Sequence, residues 1–250
     1  MENGLISKLQ EIYDWQLKHQ NVIIDFLQYT NSKTSNLILK GGTALAMCYE
    51  LDRFSEDIDF DGRKHEDGAN NTVGNIVDNF CKSNNFTYRV AKDTEFVKRY
   101  MIHYEDDISK KPLKIETSYR KKEVFEDEVT KVNGIMVYKV EPLLIMKVNA
   151  YSDRDKIRDL YDLVYIYNNF AEQASPQSLS FLRNAFEYKG IEHVDYILKT
   201  QSDLLINNEK LSGDFLEMYS NLGLLYEKHE PKRSFKNVWS QDEKSREFSR

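Results

Sequence analysis

The chain has 250 residues, of which 40% are hydrophobic and 30% are charged, and its formal net charge is −6. A chain of this length and composition is typical of a globular protein with a substantial core. The acidic balance argues against a protein that binds nucleic acid over its whole surface, although it leaves room for local basic patches.

Several common classes of protein and site lack support in the sequence. There is no run of eighteen apolar residues and no signal peptide at the N-terminus, so we expect a cytoplasmic protein without membrane contact. The two cysteines, Cys48 and Cys81, do not suggest a disulfide framework. Motifs for a P-loop, a dinucleotide-binding turn and a zinc protease helix are also missing. The five histidines lack metal-ligand spacing and are interpreted as structural or surface residues: His19, His65, His103, His193 and His229.

The first elements along the chain are a helix, a short strand and a second helix. Apolar residues recur with helical spacing over the first thirty residues. Asn36–Leu39 then predicts a buried strand, Lys40–Gly42 a tight turn, and Thr43–Tyr49 the start of a helix. The sequence therefore predicts a strand, turn and helix in direct succession.

The glycine turn is a candidate phosphate site. Glycine allows close approach of the backbone to a ligand, and a helix N-terminus offers unpaired N–H groups to an anion. Gly41, Gly42 and the hydroxyl of Thr43 are therefore candidate nucleotide ligands. The alternative is a turn with a purely structural role.

An acidic pair follows in the segment Ser55-Glu56-Asp57-Ile58-Asp59-Phe60. On a strand, Asp57 and Asp59 would project from one face, while Ile58 and Phe60 would point into a core. Two carboxylates side by side favour a cation, and Mg²⁺ prefers such oxygen ligands. The alternative is a solvated acidic loop.

The chain up to about Val140 alternates further between strands and helices. A helix is predicted through Val77–Phe80. Strand candidates follow at Thr87–Val90, Lys98–Tyr104, Pro112–Tyr119 and Ile135–Tyr138. Basic residues that could contact RNA, or that simply keep edge strands soluble, cluster at Lys110, Lys111, Lys114, Arg120, Lys121 and Lys122, and again at Lys232, Arg233 and Lys236.

Helical spacing dominates after Pro142, up to a polar tail from about Pro231. On one continuous helix, a single stripe would contain Lys147, Tyr151, Arg154, Arg158 and Asp162. Such a cationic stripe could bind a triphosphate, with its aspartates orienting the arginines. The alternative is an exposed helix of mixed charge.

The two motif blocks resemble a known family. Gly41-Gly42-Thr43-Ala44-Leu45 and Arg53-Phe54-Ser55-Glu56-Asp57-Ile58-Asp59-Phe60 are similar in order and spacing to the signature of AbiEii/AbiGii-type nucleotidyltransferases, toxins within the DNA polymerase β-like superfamily. The resemblance covers roughly Leu37 to Leu163. It implies an α+β fold with a mixed-sheet nucleotidyltransferase domain flanked by helices (residues 1–140). The helical spacing after Pro142 predicts that a mainly helical domain follows (residues 141–250).

The resemblance also implies roles for individual residues. Asp57 and Asp59 would bind the metal, and such enzymes add a third carboxylate, for which Glu116 is our choice. Asp106 and Asp107 are rival candidates, and an ordinary surface role for Glu116 is the alternative. Nucleotide contacts are implied for Gly41, Gly42, Thr43, Ser55, Lys147, Arg154 and Arg158, and Arg53 is a further candidate.

The implied activity is transfer of a nucleoside monophosphate from a nucleoside triphosphate, dependent on Mg²⁺ or Mn²⁺. The implied acceptor is RNA, such as the 3′ end of tRNA, and a protein hydroxyl or a small molecule is the alternative acceptor. The implied biological role is that of a toxin with a cognate antitoxin. Two alternatives remain open at this point: a catalytically silent nucleotide- or RNA-binding relative, and a Mg²⁺-dependent phosphohydrolase.

Overall fold

The computed structural model describes residues 2–63, 72–104, 111–121 and 123–225. Within these ranges the chain forms a seven-stranded mixed sheet with helices around it, which confirms the expected α+β class. The helices are α1 (Glu2–Lys33), α2 (Gly41–Cys48), α3 (Thr72–Asn84), α4 (Val140–Asp153), α5 (Ile157–Phe170), α6 (Pro176–Lys189), α7 (Ile191–Thr200) and α8 (Asn208–Asn221). The strands are β1 (Leu37–Lys40), β2 (Asp57–Gly62), β3 (Thr87–Asp93), β4 (Val97–His103), β5 (Leu113–Ser118), β6 (Val129–Val132) and β7 (Ile135–Tyr138).

The strands are ordered β3-β4-β5-β2-β1-β7-β6 across the sheet. Strand β2 pairs parallel to β5 and antiparallel to β1, and β1 pairs parallel to β7. The remaining neighbours are antiparallel. The two strands predicted to bear carboxylates, β2 and β5, are therefore direct neighbours near the middle of the sheet.

One face of the sheet forms the core. Ile58 and Phe60 of β2 and Ile115 of β5 are at most 1% exposed, as the alternating pattern predicts. Helix α1 covers this region with an apolar stripe, and the Phe26 ring packs edge-on against Phe80 of α3 with centroids 5.1 Å apart. The opposite face of β2 and β5 is left to polar side chains.

The sequence analysis predicts β7, at Ile135–Tyr138, but neither β6 nor the hairpin that the two strands form. The two strands are joined by Asn133 and Gly134, both with positive φ. An Asn-Gly pair between two β-branched segments is a strong hairpin signal. That signal could have revealed β6, which is only four residues long.

The predicted continuous helix through Lys147 and Asp162 is wrong. Helix α4 ends at Asp153 and α5 begins at Ile157. The ammonium of Lys189 donates hydrogen bonds to the carbonyls of Tyr151 and Arg154. The Gln201 side chain bonds both the Asp155 carbonyl and the Ile157 N–H. These contacts from distant helices satisfy the backbone groups that the break exposes.

The chain after Val140 contributes helices, and every strand of the sheet among the described residues precedes it. The division into domains at residues 140 and 141 stays a prediction. The polar tail, Asp106, Asp107, His65 and His229 lie outside the described residues. No helix in the described part of the chain has the length and apolar character needed to span a membrane.

Candidate active site

Three carboxylates share the polar face of the sheet. Asp57 and Asp59 alternate with the buried Ile58 on β2. Glu116 lies on β5 directly opposite Asp59 in the parallel register. Because paired residues on neighbouring strands point to the same face, the third carboxylate lies beside the acidic pair, where the sequence analysis expects it.

Asp59 is the carboxylate without a partner. Within the described residues its side chain accepts no hydrogen bond and forms no ion pair. Burial raises the pKa of Asp59; the charges of Lys114 and Lys40 oppose this shift, whereas the negative charges of Asp57 and Glu116 add to it. The protein thus holds a partly buried acid, without a hydrogen-bonding partner of its own, between two others.

The outer two carboxylates each have a cationic partner. The ammonium of Lys114, which lies opposite Asp57 in the register, is 2.7 Å from Asp57 Oδ2. Arg99 of β4 lies opposite Glu116 and donates from Nε and Nη2 to its Oε2, each at 2.6 Å. Burial lowers the pKa of Lys114, but the hydrogen bond to Asp57 and the three nearby carboxylates together raise it.

The donor set suits a hard divalent cation. Carboxylate oxygens are the ligands that Mg²⁺ prefers, and Asp59 is a partly buried acid that a cation would neutralise. Within the described ranges, however, no group of three acidic, histidine or cysteine side chains is arranged so that it could hold a metal ion. Lys114 and Arg99 instead bind the two outer carboxylates.

The glycine turn lies against the acidic strand. Gly41 has φ of +78°, and a Cβ at this position would be 3.3 Å from Asp59 Oδ2. A Cβ on Gly42 would be 2.7 Å from Nη2 of Arg53, closer than real contacts allow. Both glycines are therefore required by the packing of this chain itself, and their contact with a nucleotide stays a prediction.

Thr43 and Ser55 connect α2 to the start of β2. The buried Thr43 hydroxyl donates to the carbonyl of Asp57, and its oxygen lies 2.8 Å from Ser55 Oγ. The Thr43 hydroxyl is thus engaged by groups of the protein itself and connects α2 to the first residue of β2. The predicted nucleotide contacts of Thr43 and Ser55 remain to be tested.

A buried ion network lies next to the glycine turn. Asp162 of α5 is 0% exposed and accepts two hydrogen bonds of 2.6 Å from Arg53. The ammonium of Lys147 on α4 lies 2.5 Å from the same carboxylate and 3.7 Å from Asp159. Burial alone would raise the pKa of Asp162, but the charges of Lys147 and Arg53 lower it.

Arg154 and Arg158 do not form the expected single stripe with Lys147. The helix break separates them, and each has its own acidic partner. Arg154 binds Asp159 at 2.6 Å through Nε, and Arg158 binds Asp203 at 2.6 Å. Asp159 orients an arginine, Arg154, as expected. Asp162 does not bind its helical neighbour Arg158; it binds Arg53, which lies 109 residues earlier in the sequence.

His19 is a site-supporting residue that the sequence analysis treats only as structural. Its Nε2 donates to the carbonyl of Glu56 at 2.8 Å, and its Nδ1 accepts from the Tyr104 hydroxyl at 2.6 Å. Burial lowers the pKa of His19, in accord with this neutral tautomer. The long helix α1 is thereby fixed to the residue that precedes Asp57. No local motif around His19 signals this role.

Three of the four described members of the basic cluster predicted for RNA form ion pairs. Lys111 pairs with Glu56, Lys114 with Asp57, and Lys121 with Glu128. Arg120 is exposed. The remaining members, Lys110, Lys122, Lys232, Arg233 and Lys236, lie outside the described residues.

The chain is similar to nucleotidyltransferases in sequence and structure. The family model "Nucleotidyl transferase AbiEii toxin, Type IV TA system" matches residues 25–241. The crystal structure of JHP933 from Helicobacter pylori superposes with a TM-score of 0.67 and 29% identity, over 84% of this chain and 93% of that chain. A second H. pylori structure, of a protein assigned as a nucleotidyltransferase, has a TM-score of 0.66 and 28% identity, over 86% and 99%. No curated protein sequence matches.

These comparisons extend the resemblance beyond the motifs. The motif blocks place it between Leu37 and Leu163, whereas the family match continues to residue 241. Helices α6 to α8 therefore belong to the shared architecture, which the sequence analysis did not recognise.

We expect Asp59→Asn to stabilise the protein in the absence of divalent ions. A carboxyl whose pKa is raised in the folded state favours folding below its ordinary pKa and opposes it as pH rises through the raised value. At pH 7 with EDTA, the free energy of unfolding should increase by about 1–2 kcal/mol, and the difference should vanish below about pH 4.

The matched control for this prediction is Asp57→Asn on the same strand. Asp57 is 44% exposed and paired with Lys114, so its loss should leave stability unchanged or lower it by at most about 1 kcal/mol. Thermal unfolding of both variants across pH provides the measurement. A lower stability for Asp59→Asn than for Asp57→Asn at pH 7 would contradict the description of Asp59 as uncompensated.

Asp162→Ala should be strongly destabilising. It leaves the buried Arg53 and Lys147 without their shared carboxylate, and breaking a buried pair typically costs about 3–5 kcal/mol. Urea unfolding would measure the loss. Asp195→Ala, which removes an exposed pair with Lys199, should change stability by about 0.5 kcal/mol or less. Equal effects of the two substitutions would show that the buried network lacks this importance.

Proposed function

We propose that this chain, which belongs to the AbiEii family of nucleotidyl transferase toxins, transfers a nucleoside monophosphate from a nucleoside triphosphate to an acceptor hydroxyl. The observation that supports this most strongly is the register of β2 and β5. It brings Asp57, Asp59 and Glu116 to one polar face, next to the Gly41 turn. Divalent-ion dependence is part of the proposal.

The three carboxylates would hold Mg²⁺ or Mn²⁺, which when bound would neutralise charge on the triphosphate and on the leaving pyrophosphate. Glu116 lies between Asp59 of β2 and Arg99 of β4 in the sheet register. It would accept a hydrogen bond from the attacking hydroxyl and thereby orient it. The N-terminus of α2 offers N–H groups to phosphate oxygens. These residues would position the hydroxyl for in-line attack on the α-phosphorus.

Lys147 is assigned a supporting role here, whereas the sequence analysis assigned it a direct contact with the nucleotide. Its side chain is only 10% exposed and is bound to Asp162. From there it stabilises Arg53, whose guanidinium packs against Gly42. We therefore assign Lys147 first to the support of the glycine turn. Direct contacts of Lys147, Arg154 and Arg158 with the triphosphate stay predictions.

The polar sheet face favours a polyanionic acceptor such as RNA. Two rows of cross-strand neighbours lead from the sheet edge to the carboxylates. One row is Lys92, Arg99, Glu116 and Asp59, and the other is Arg89, Met101, Lys114 and Asp57. Within the described ranges, Arg89 and Lys92 form no ion pair. They lie three strand spacings, roughly 14 Å, from β2.

This geometry suits an RNA whose 3′ end reaches the carboxylates while upstream phosphates contact Arg89 and Lys92. Modification of RNA by such a reaction would explain toxicity. A cognate antitoxin, as the family description implies, is the expected protein partner.

The transfer reaction can be tested directly. Wild-type protein, Mg²⁺, total cellular RNA and each α-labelled nucleoside triphosphate in turn should yield labelled RNA, and EDTA should abolish the product. Asp57→Asn/Asp59→Asn should lower the rate by at least about 10³-fold, because both substitutions remove ligands of the charge-neutralising ion.

Asp61→Asn is the control on the same strand. Asp61 binds Lys40 and the Tyr138 hydroxyl, so this variant should retain transfer per folded molecule. Free nucleoside monophosphate without labelled RNA would favour a phosphohydrolase. Intact nucleotide that stays bound would favour a silent binding protein.

The acceptor contacts have a separate test. Arg89→Gln/Lys92→Gln should weaken tRNA binding and reduce the slope of log K against log salt by about 1.4, since each single-strand phosphate contact contributes about 0.7. Fluorescence anisotropy with a labelled tRNA pool would measure it. Lys131→Gln/Lys139→Gln removes the same charge at the opposite sheet edge and should have little effect. Equal losses of tRNA affinity in the two double variants would exclude a specific path for the RNA across β3.

A further inference from the structure

Lys114 lies among the carboxylates of the proposed metal site. It lies on β5 opposite Asp57 and two residues before Glu116. Its side chain therefore projects from the same face of the sheet as all three acids. Its ammonium is 2.7 Å from Asp57 Oδ2. A positively charged side chain therefore already contacts one of the two Asp57 oxygens that a divalent ion could bind.

The two cations cannot both bind this oxygen closely. Mg²⁺ binds carboxylate oxygens at about 2.0–2.1 Å and has a small, strict coordination sphere. An ammonium in hydrogen-bond contact with the same oxygen would lie within about 4 Å of the ion, where like charges repel. Metal binding through Asp57 Oδ2 therefore requires Lys114 to leave its present position, and binding through Oδ1 would still be opposed by the nearby ammonium.

The displaced ammonium cannot withdraw far. The Lys114 side chain is 27% exposed, and its strand is fixed between β2 and β4. The neighbouring Glu116 is already bound by Arg99. Once metal takes both Asp57 and Asp59, the remaining anion at this face without a partner would be the triphosphate that the metal itself holds.

We propose that Lys114 is the resident counter-cation of Asp57, that a divalent ion displaces it, and that the released ammonium then binds the triphosphate. This inference rests on the proposed function, because it requires a divalent ion at Asp57 and Asp59. It gives Lys114 opposite effects on two ligands: it opposes the metal ion and favours the phosphates.

The test uses the full-length protein, Mn²⁺ as the metal and inorganic tripolyphosphate as a base-free phosphate chain. Isothermal titration and Mn²⁺ electron paramagnetic resonance would give the dissociation constants. Lys114→Met should bind Mn²⁺ about five- to tenfold more tightly, because it removes a repelling charge, and should bind tripolyphosphate in saturating Mn²⁺ about five- to tenfold more weakly.

The matched control is Lys111→Met. Lys111 is a nearby lysine that pairs with Glu56 at 3.1 Å and is 74% exposed, so its removal changes net charge equally without touching Asp57. Neither dissociation constant should change by more than about twofold. Equal shifts in both variants would overturn the inference, as would two shifts in the same direction for Lys114→Met.

Failure of the inference can be distinguished from failure of the proposed function. If wild type binds Mn²⁺ and Asp57→Asn/Asp59→Asn does not, while Lys114→Met resembles wild type, only the role of Lys114 is overturned. If no variant binds Mn²⁺, the metal-dependent function is overturned with it. Lys114→Gln, which keeps a polar side chain on the strand, provides the same test should Lys114→Met fail to fold, as judged by circular dichroism.

Discussion

The fully buried carboxylate of Asp162 is the interaction on which the arrangement of the site depends. It joins three parts of the chain: Arg53 from the segment before β2, Lys147 from α4, and its own helix α5. A buried anion is costly unless its charge and hydrogen-bonding positions are satisfied, so these segments can pack only in the relative positions that satisfy it. Arg53 in turn fills the space left by the missing side chain of Gly42.

The charges on the acidic face, unlike that of Asp162, are not all satisfied by partners. Here the chain keeps three carboxylates together but compensates only two of them, through Lys114 and Arg99. The third, Asp59, is partly buried and has no hydrogen-bonding or ion-pair partner within the described residues. An arrangement that opposes stability is expected where a site must bind a cation, since the same repulsion that destabilises the empty site strengthens binding of the ion.

Local patterns were sufficient for part of this account. Alternation along β2 predicted that Asp57 and Asp59 share a face. The family resemblance called for a third carboxylate, and the alternation within Pro112–Tyr119 led to Glu116. The partners of these acids could not be predicted, because they depend on the order of strands. Arg99 binds Glu116 because β4 lies beside β5 in the sheet. Asp162 binds Arg53 although the two residues are 109 positions apart in the sequence. Likewise, the break after α4 depends on Lys189 and Gln201, which no local signal identifies.

Binding of a divalent ion between Asp57 and Asp59 is the central requirement of the proposed function, and anomalous diffraction from crystals soaked in Mn²⁺ tests it most directly. We expect an anomalous peak within about 2.0–2.3 Å of oxygens from both aspartates, with the Lys114 ammonium moved away from Asp57. A crystal that shows no peak there, or a peak elsewhere with the Lys114 pair intact, would contradict it.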